Sequence, residues 1–207
     1  MANKKRKCRE CKEYELVEVG IKVPLGFFCS AECAAKHGRS RHQKQQVVKQ
    51  KKEYRDAKEG VKTLSTHKKE AEVAFRRYIR ARDRLFYLKQ GRLPECISCG
   101  TTKPGIQYAA GHFKTKGAFP ELRFDEKNAY LQCNKYCNES LSGNITGTKT
   151  TRGYTEGLKV RFGEEEGQAI IEYLNSPHLI QKWTIDDLKD LKKDFNRRAN
   201  EIEKTLL

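Results

Sequence analysis

Cys96-Ile-Ser-Cys99 and Cys133-Asn-Lys-Tyr-Cys137-Asn138 bracket a segment that contains Tyr108-Ala-Ala-Gly-His112-Phe-Lys. Two close cysteine pairs separated in this way let four thiolates converge on one tetrahedral ion from two tight turns. The N-terminal region repeats the arrangement with Cys8, Cys11, Cys29 and Cys33. These eight are all the cysteines in the chain. Disulfides belong to oxidising compartments. Met1–Lys7 is basic and leads into Cys8 with no apolar stretch behind it, which points to an intracellular chain with reduced thiols. Two structural Zn²⁺ sites are therefore expected: Cys8, Cys11, Cys29 and Cys33, then Cys96, Cys99, Cys133 and Cys137.

The rest of the composition agrees with small, metal-stapled modules. The chain has 207 residues, only 37% of them hydrophobic, and a formal charge of +16. Mean hydropathy is −0.85. No run approaches the roughly 20 apolar residues needed to span a bilayer, so no membrane association is expected. The fold class expected is α+β, mostly helical, in four parts. Residues 1–36 form a four-cysteine finger, a short hairpin followed by a helical turn carrying Cys29 and Cys33. Residues 37–92 form a long basic helical arm, 93–150 a zinc-stapled module, and 151–207 a helical region. Within that last region, 164–175 reads as a short amphipathic helix. Thr184, with Asp187 three residues on, starts another helix in a variant of the capping box. Its stripe of Ile185, Leu188, Leu191, Phe195, Ile202 and Leu206 needs tertiary packing or a dimer seam.

Between positions 36 and 92, 19 Lys and Arg face 6 Asp and Glu, a surplus of 13 positive charges. Such a surplus calls for a polyanion, since basic side chains on phosphates gain affinity through counterion release. Candidate DNA contacts are Lys44, Lys49, Lys51, Lys52, Arg55, Lys58, Lys62, Lys68, Lys69, Arg76, Arg77 and Arg80, joined by Lys114 and Lys116 further on. If helical throughout, residues 42–90 would extend about 70 Å, with Gly60 weakening the middle. Tyr54, Phe75, Tyr78 and Phe86 read as packing residues.

His112 is the one histidine between the second set of cysteines, and polar residues gather after it: Asn128, Asn138, Glu139, Ser142 and Asn144. Phosphodiester hydrolysis needs a base for water, a cation on the phosphate and a group that orients the base. An imidazole is largely neutral at pH 7, so His112 suits the base, with metal-ligand and structural roles as alternatives. The amide oxygen of Asn138 is a hard donor for Mg²⁺ or Mn²⁺. Asn128 either holds the imidazole or ties off the loop.

The order Cys96-x2-Cys99, Gly-His112, Asn128, Cys133-x3-Cys137-Asn138 resembles the HNH, or ββα-metal, nuclease pattern with zinc knuckles. Cys-Ile-Ser-Cys-Gly at 96–100, Ala-Gly-His at 110–112, Leu-Arg-Phe at 122–124, Ser-Gly-Asn at 142–144 and Lys-Trp-Thr-Ile at 182–185 resemble the phage lambda NinG/Rap family over essentially the full length. That resemblance implies a structure-directed endonuclease cutting Holliday junctions and D-loops in phage recombination, in the host cytoplasm. His112, Asn128 and Asn138 would be its catalytic residues. The divalent ion would be held by Asn138, His112 and Asp125. Branched double-stranded DNA, a second copy of the chain, and phage or host recombination proteins are the partners implied. Three positions depart from the pattern: Gly111, where an Asp or His ligand is common; the Cys-x3-Cys spacing; and Leu141 in place of a Lys. Asp125, Glu121 or another carboxylate would have to supply the oxygen missing at 111; otherwise the metal is weakly held or His112 is itself the ligand. A non-catalytic zinc-finger DNA-binding protein is the competing class, and an RNA-binding role finds no matching signature.

Overall fold

The computed structural model describes residues 4–139, 146–147 and 152–206. Leu141, Ser142 and Asn144 lie outside the described residues. The chain divides into two compact units, 1–62 and 63–207.

The first unit is a finger followed by a helix. Strand β1 (Lys5–Lys7) pairs antiparallel with β2 (Tyr14–Leu16), and β3 (Ile21–Val23) with β4 (Gly26–Phe28). Cys8 and Cys11 follow β1, while Cys29 follows β4. Ser30 then caps helix α1 (Ala31–Gly60), its hydroxyl accepting from the Cys33 backbone N–H at 3.2 Å. The expected hairpin and helical turn are both present. The buried apolar residues here are Cys8, Phe27 and Phe28, too small a core for a free-standing fold. Beyond its first turns α1 buries nothing. Tyr54, expected to pack, is 70% exposed.

The expected single arm over 37–92 is instead two helices. After Gly60 the chain breaks, and the Thr63 hydroxyl caps α2 (Leu64–Leu88) by accepting from the Thr66 N–H. The second half of the basic stretch is a core helix, because its apolar positions recur at helical spacing and need burial. Ala71, Ala74, Phe75, Tyr78 and Ile79 bury against Ala110, Phe124, Ala129 and the last helix, α5 (Ile185–Thr205). On α5 the buried positions are Leu188, Phe195 and Ala199, with Leu191 and Ile202 alongside, so tertiary packing takes up that stripe. Thr184 and Asp187 form the capping box.

Strand β5 (Tyr108–His112) pairs antiparallel with β6 (Ala129–Cys133), placing His112 opposite Ala129 and Gly111 opposite Tyr130. Side chains alternate across such a hairpin. One face carries Ala110 and Ala129 toward α2, while Tyr130 on the other joins a second core with Ile97, Leu122, Tyr154 and Leu158. Helices α3 (Gly153–Phe162) and α4 (Glu164–Asn175) supply that second core. Helix α3 escaped the sequence reading, since it has almost no amphipathic pattern. It sits so close that a Cβ at Gly157 would lie 1.8 Å from the Ile97 carbonyl oxygen. Asp83, fully buried, ties the layers together: it accepts from Arg82, Arg161 and the Leu131 backbone N–H.

Candidate nuclease site and zinc knuckles

Each set of four cysteines brings its sulfurs within 4.8 Å of one another. A tetrahedral ion 2.3 Å from each sulfur requires S–S separations of about 3.8 Å. Cys11–Cys29 and Cys29–Cys33 are 3.5 Å apart and Cys99–Cys133 is 3.8 Å apart. Both sets could hold zinc. Burial disfavours the Cys8 thiolate, yet backbone hydrogen bonds at Cys29, Cys11 and Glu10 bring its pKa down to about 6. Its neighbour Cys29 is pushed up to about 12, first by the hydrogen bond with Cys33. Burial pushes Cys96 up to about 12 and Cys137 further in the same direction. Four clustered thiols cannot all ionise unaided, and a dication removes that conflict.

The second knuckle anchors the hairpin. The Cys133 N–H donates to Cys96 Sγ at 3.3 Å, and the Ile97 N–H to the Leu131 carbonyl at 2.8 Å. After Cys133 the chain makes one turn of π-helix, Asn134–Glu139. A cavity of about 480 Å³ lies beside it, lined by His112 and Asn138 together with Arg76, Arg80, Lys116, Asn134, Gln107, Tyr108, Ala109, Ala110 and Val73. Strand β5 contributes the histidine, the π turn the asparagine, and α2 the two arginines.

His112 is half-buried beside Phe75, ring centroids 5.8 Å apart. Its Nε2 lies 3.1 Å from the Arg123 carbonyl oxygen. A carbonyl only accepts, so Nε2 carries the proton and Nδ1 keeps a free lone pair. Burial holds the His112 pKa below the ordinary histidine value, and the Lys116 and Arg123 charges add to the effect. The Arg123 carbonyl and the Glu72 carboxylate oppose it. Glu72 receives Lys116 Nζ at 2.5 Å and also Arg123 Nη1. Burial opposes its ionisation, but these hydrogen bonds prevail and keep its carboxyl below the usual carboxylate range.

Asn138 donates from Nδ2 to Asn134 Oδ1 at 3.2 Å, so its amide oxygen is the atom it has to offer. Asn128 does not line the cavity. It is fully buried, donating to the Lys114 and Leu122 carbonyls, each at 3.0 Å, and accepting from the Lys114 N–H at 2.7 Å. Of the two roles expected for Asn128, tying off the loop between β5 and β6 is the one its contacts serve.

Asp125 is also elsewhere. It caps the 3-10 turn Glu126–Asn128 through the Lys127 N–H at 2.7 Å, and accepts from Tyr173 Oη at 2.6 Å. With Glu121 it lines a different cavity beside Tyr173, His178 and Trp183. Among the described residues neither of these, nor any other carboxylate, lines the His112 cavity. Gly111 cannot fill the gap, because its side-chain direction points to the other face of the hairpin. A Cβ there would lie 2.0 Å from Gln132 Oε1.

The expected DNA contacts separate into groups. Lys44, Lys49, Lys51, Lys52, Arg55 and Lys58 are all exposed on α1, with Lys49 3.9 Å from Glu53. Lys62 pairs with Glu59 at 2.6 Å. Lys68 and Lys69 are on the first turns of α2. Arg77 is taken up by Glu203, by Asn196 at 3.2 Å and by Asn200 at 2.6 Å. Lys114 lies over the Phe119 ring at 5.0 Å. Arg76, Arg80 and Lys116 line the cavity. Their convergence with His112 was hidden in the sequence, although the i, i+4 spacing of 76 and 80 signals one helix face. Burial lowers the Arg80 pKa, and the Arg84 and Arg76 charges lower it further.

These features define a class: an α+β protein with two four-cysteine knuckles, the second clamping a β-hairpin beside a cavity lined with cations, amides and an imidazole. The chain belongs to the NinG family, whose description, "Bacteriophage Lambda NinG protein", matches residues 1–205. It is 30% identical to protein ninG of Salmonella phage P22 over 190 residues, covering 85% of this chain and 84% of that one. Protein ninG of Escherichia phage lambda is likewise 30% identical, covering 85% of this chain and 83% of its own. Protein ninG of Escherichia phage 933W is 33% identical over 134 residues, 65% of this chain and 57% of that one. No solved structure matches the chain. Among the described residues, no helix is long and apolar enough to cross a membrane.

Proposed function

We propose that this chain is a structure-directed, metal-dependent endonuclease that cuts branched DNA, such as Holliday junctions and D-loops, during phage recombination in the host cytoplasm. The observation that carries the reading is the single cavity shared by His112, Asn138 and three basic side chains. The antiparallel pair of β5 and β6, followed by the turn that carries Asn138, supports the reading drawn from the motif order, which resembles the HNH pattern.

In this reading His112 Nδ1 takes a proton from water as the water oxygen bonds to phosphorus. The phosphorus–oxygen ester bond breaks, and the leaving oxygen is protonated by solvent. The Arg123 carbonyl holds the imidazole in the required tautomer. A bound Mg²⁺ or Mn²⁺ would neutralise charge on the phosphate. Asn138 would hold it, with water and phosphate oxygens completing the shell, since Mg²⁺ commonly takes few protein ligands and several waters. With an amide in place of a carboxylate, such an ion would be weakly held without DNA. A four-way junction is pseudo-symmetric and needs two cuts, so a two-fold dimer is the matching assembly. Phosphate contacts position a protein without reading bases, which suits recognition by shape.

The competing reading, a non-catalytic DNA-binding accessory protein, draws on the absence of a carboxylate from the cavity lining. Cleavage of a labelled four-way junction and a matched linear duplex separates the two. Wild type and His112→Ala are compared in Mg²⁺, Mn²⁺ and EDTA. Metal-dependent nicking of the junction by wild type, with binding but no cutting by the variant, is expected. Tight binding without cutting in every metal would transfer the assignment to the accessory role.

A further inference from the structure

Helix α2 carries five arginines, and their environments differ sharply. Arg77 is taken up by α5, through Glu203, Asn196 and Asn200. Arg82 pairs with Asp83 and donates to the Glu126 and Ala129 carbonyls at 2.9 and 2.8 Å. Arg84 is exposed. Arg76 and Arg80, one turn apart, both line the His112 cavity. Arg76 donates from Nε to the Glu72 carbonyl at 3.3 Å. Among the described residues Arg80 makes no hydrogen bond and no ion pair.

We propose that Arg80, supported by Arg76, is the phosphate-positioning residue of this cavity, clamping the non-bridging oxygens of the DNA phosphodiester beside His112. The proposal rests on the endonuclease reading above and extends it: the hairpin supplies the base, and α2 supplies the anion grip.

Three observations converge on it. The first is charge. A half-buried guanidinium without a partner, next to two others of the same sign, is costly to maintain. A bound anion offsets that cost, and burial and crowding already bear on Arg80. The second is composition. Arg76, Arg80 and Lys116 line the cavity, and of the three only Lys116 has a carboxylate partner, Glu72. Arg76 has the Glu72 carbonyl as a hydrogen-bond partner, while Arg80 has only the through-space charge of Glu203 to favour its ionised form. The third is shape. The planar fork of a guanidinium matches two phosphate oxygens, and about 480 Å³ admits a phosphodiester. An arginine on a packed helix is also held more firmly than one on a loop, as a positioning residue requires.

The test compares wild type with Arg80→Ala, Arg80→Lys and Arg84→Ala, the last as an exposed control on the same helix. Two readouts are taken at constant ionic strength: single-turnover junction cleavage, and the melting temperature with and without inorganic phosphate. Removing one preorganised donor to transition-state charge slows chemistry about 100-fold or more, and this is the loss expected for Arg80→Ala. Arg80→Lys should recover part of the rate, because it restores charge without the fork. Arg84→Ala should cut as wild type does. Without phosphate, Arg80→Ala should melt no lower than wild type, because it removes an uncompensated half-buried charge. Phosphate should raise the melting temperature of wild type and Arg84→Ala but not of Arg80→Ala. Cleavage by Arg80→Ala at the wild-type rate, or undiminished phosphate stabilisation, overturns the clamp. If wild type cuts no DNA, the endonuclease reading fails by itself and the phosphate arm alone judges the clamp. If Arg80→Ala does not fold, the part-recovery in Arg80→Lys carries the comparison, and full wild-type behaviour there refutes the bidentate grip.

Discussion

At the scale of single residues, His112 and Asn128 show how chemistry and architecture divide the same motif. Asn128 saturates its side-chain amide on backbone groups at both ends of the β5–β6 loop, so its loss would leave buried groups unpaired. His112, by contrast, has one nitrogen engaged and one available. Its pKa lies below the ordinary histidine value, chiefly because burial disfavours the imidazolium. A depressed folded pKa means that the neutral form, and the stability linked to it, is complete above about pH 6.5, the unfolded value. Both are lost as pH falls through the lower folded value. Under the endonuclease reading, the pH–rate profile of cleavage should therefore hold its plateau at pH 7 and fall on the acid side, below the ordinary histidine range. Lys116 disfavours the charged imidazole and also neutralises Glu72, which favours it. Lys116→Ala should thus move the His112 titration to higher pH. An NMR titration of the ring, which needs no activity, checks this; an unmoved or lowered midpoint would contradict the electrostatic account.

At the scale of elements, the second knuckle and the hairpin form one mechanical assembly. Cys133 ends β6, its N–H meets Cys96 Sγ, and the π turn bearing Asn138 begins at the next residue. Cys133→Ser should therefore uncouple the hairpin from its anchor. Structural zinc contributes on the order of 10 kcal/mol of apparent folding free energy in small fingers, so the variant is expected to lose the folded 63–207 unit. Zinc content by elemental analysis, together with near-ultraviolet circular dichroism, reads the outcome. A soluble, folded and zinc-depleted variant would speak against this site. These elements were legible in advance because cysteine spacing and the Thr184–Asp187 cap are local signals. Helix α3 was not, since its burial comes from glycines that allow close approach, Gly157 to Ile97 above all. The position of Asp125 was equally hidden. Its partner Tyr173 lies far along the chain, and no local pattern reports a tertiary hydrogen bond.

At the scale of the whole molecule, the positive charge of the 36–92 stretch is put to two uses. In the 63–207 unit, part of it is engaged within the fold: Arg77 and Arg82 each pair with a carboxylate, and Arg80 lines the cavity. In the 1–62 unit it is external, because the basic residues of α1 from Lys44 to Lys58 are all exposed. Charge composition alone could not make that distinction; what turns α2 into a core helix is the set of apolar positions at helical spacing from Ala71 to Ile79. The distinction has a measurable consequence. Each phosphate neutralised by a basic side chain contributes about 0.9 to the slope of log affinity against log salt on duplex DNA. Lys44, Lys51, Lys52 and Arg55 are exposed, so replacing all four with Ala in the full chain should leave folding intact. If each meets one phosphate, the salt slope for junction binding should fall by about 3 to 4 units. The cleavage rate at saturating protein should stay unchanged, because none of the four lines the His112 cavity. A full slope in the quadruple variant would make α1 a spacer and return the electrostatic grip to the 63–207 unit.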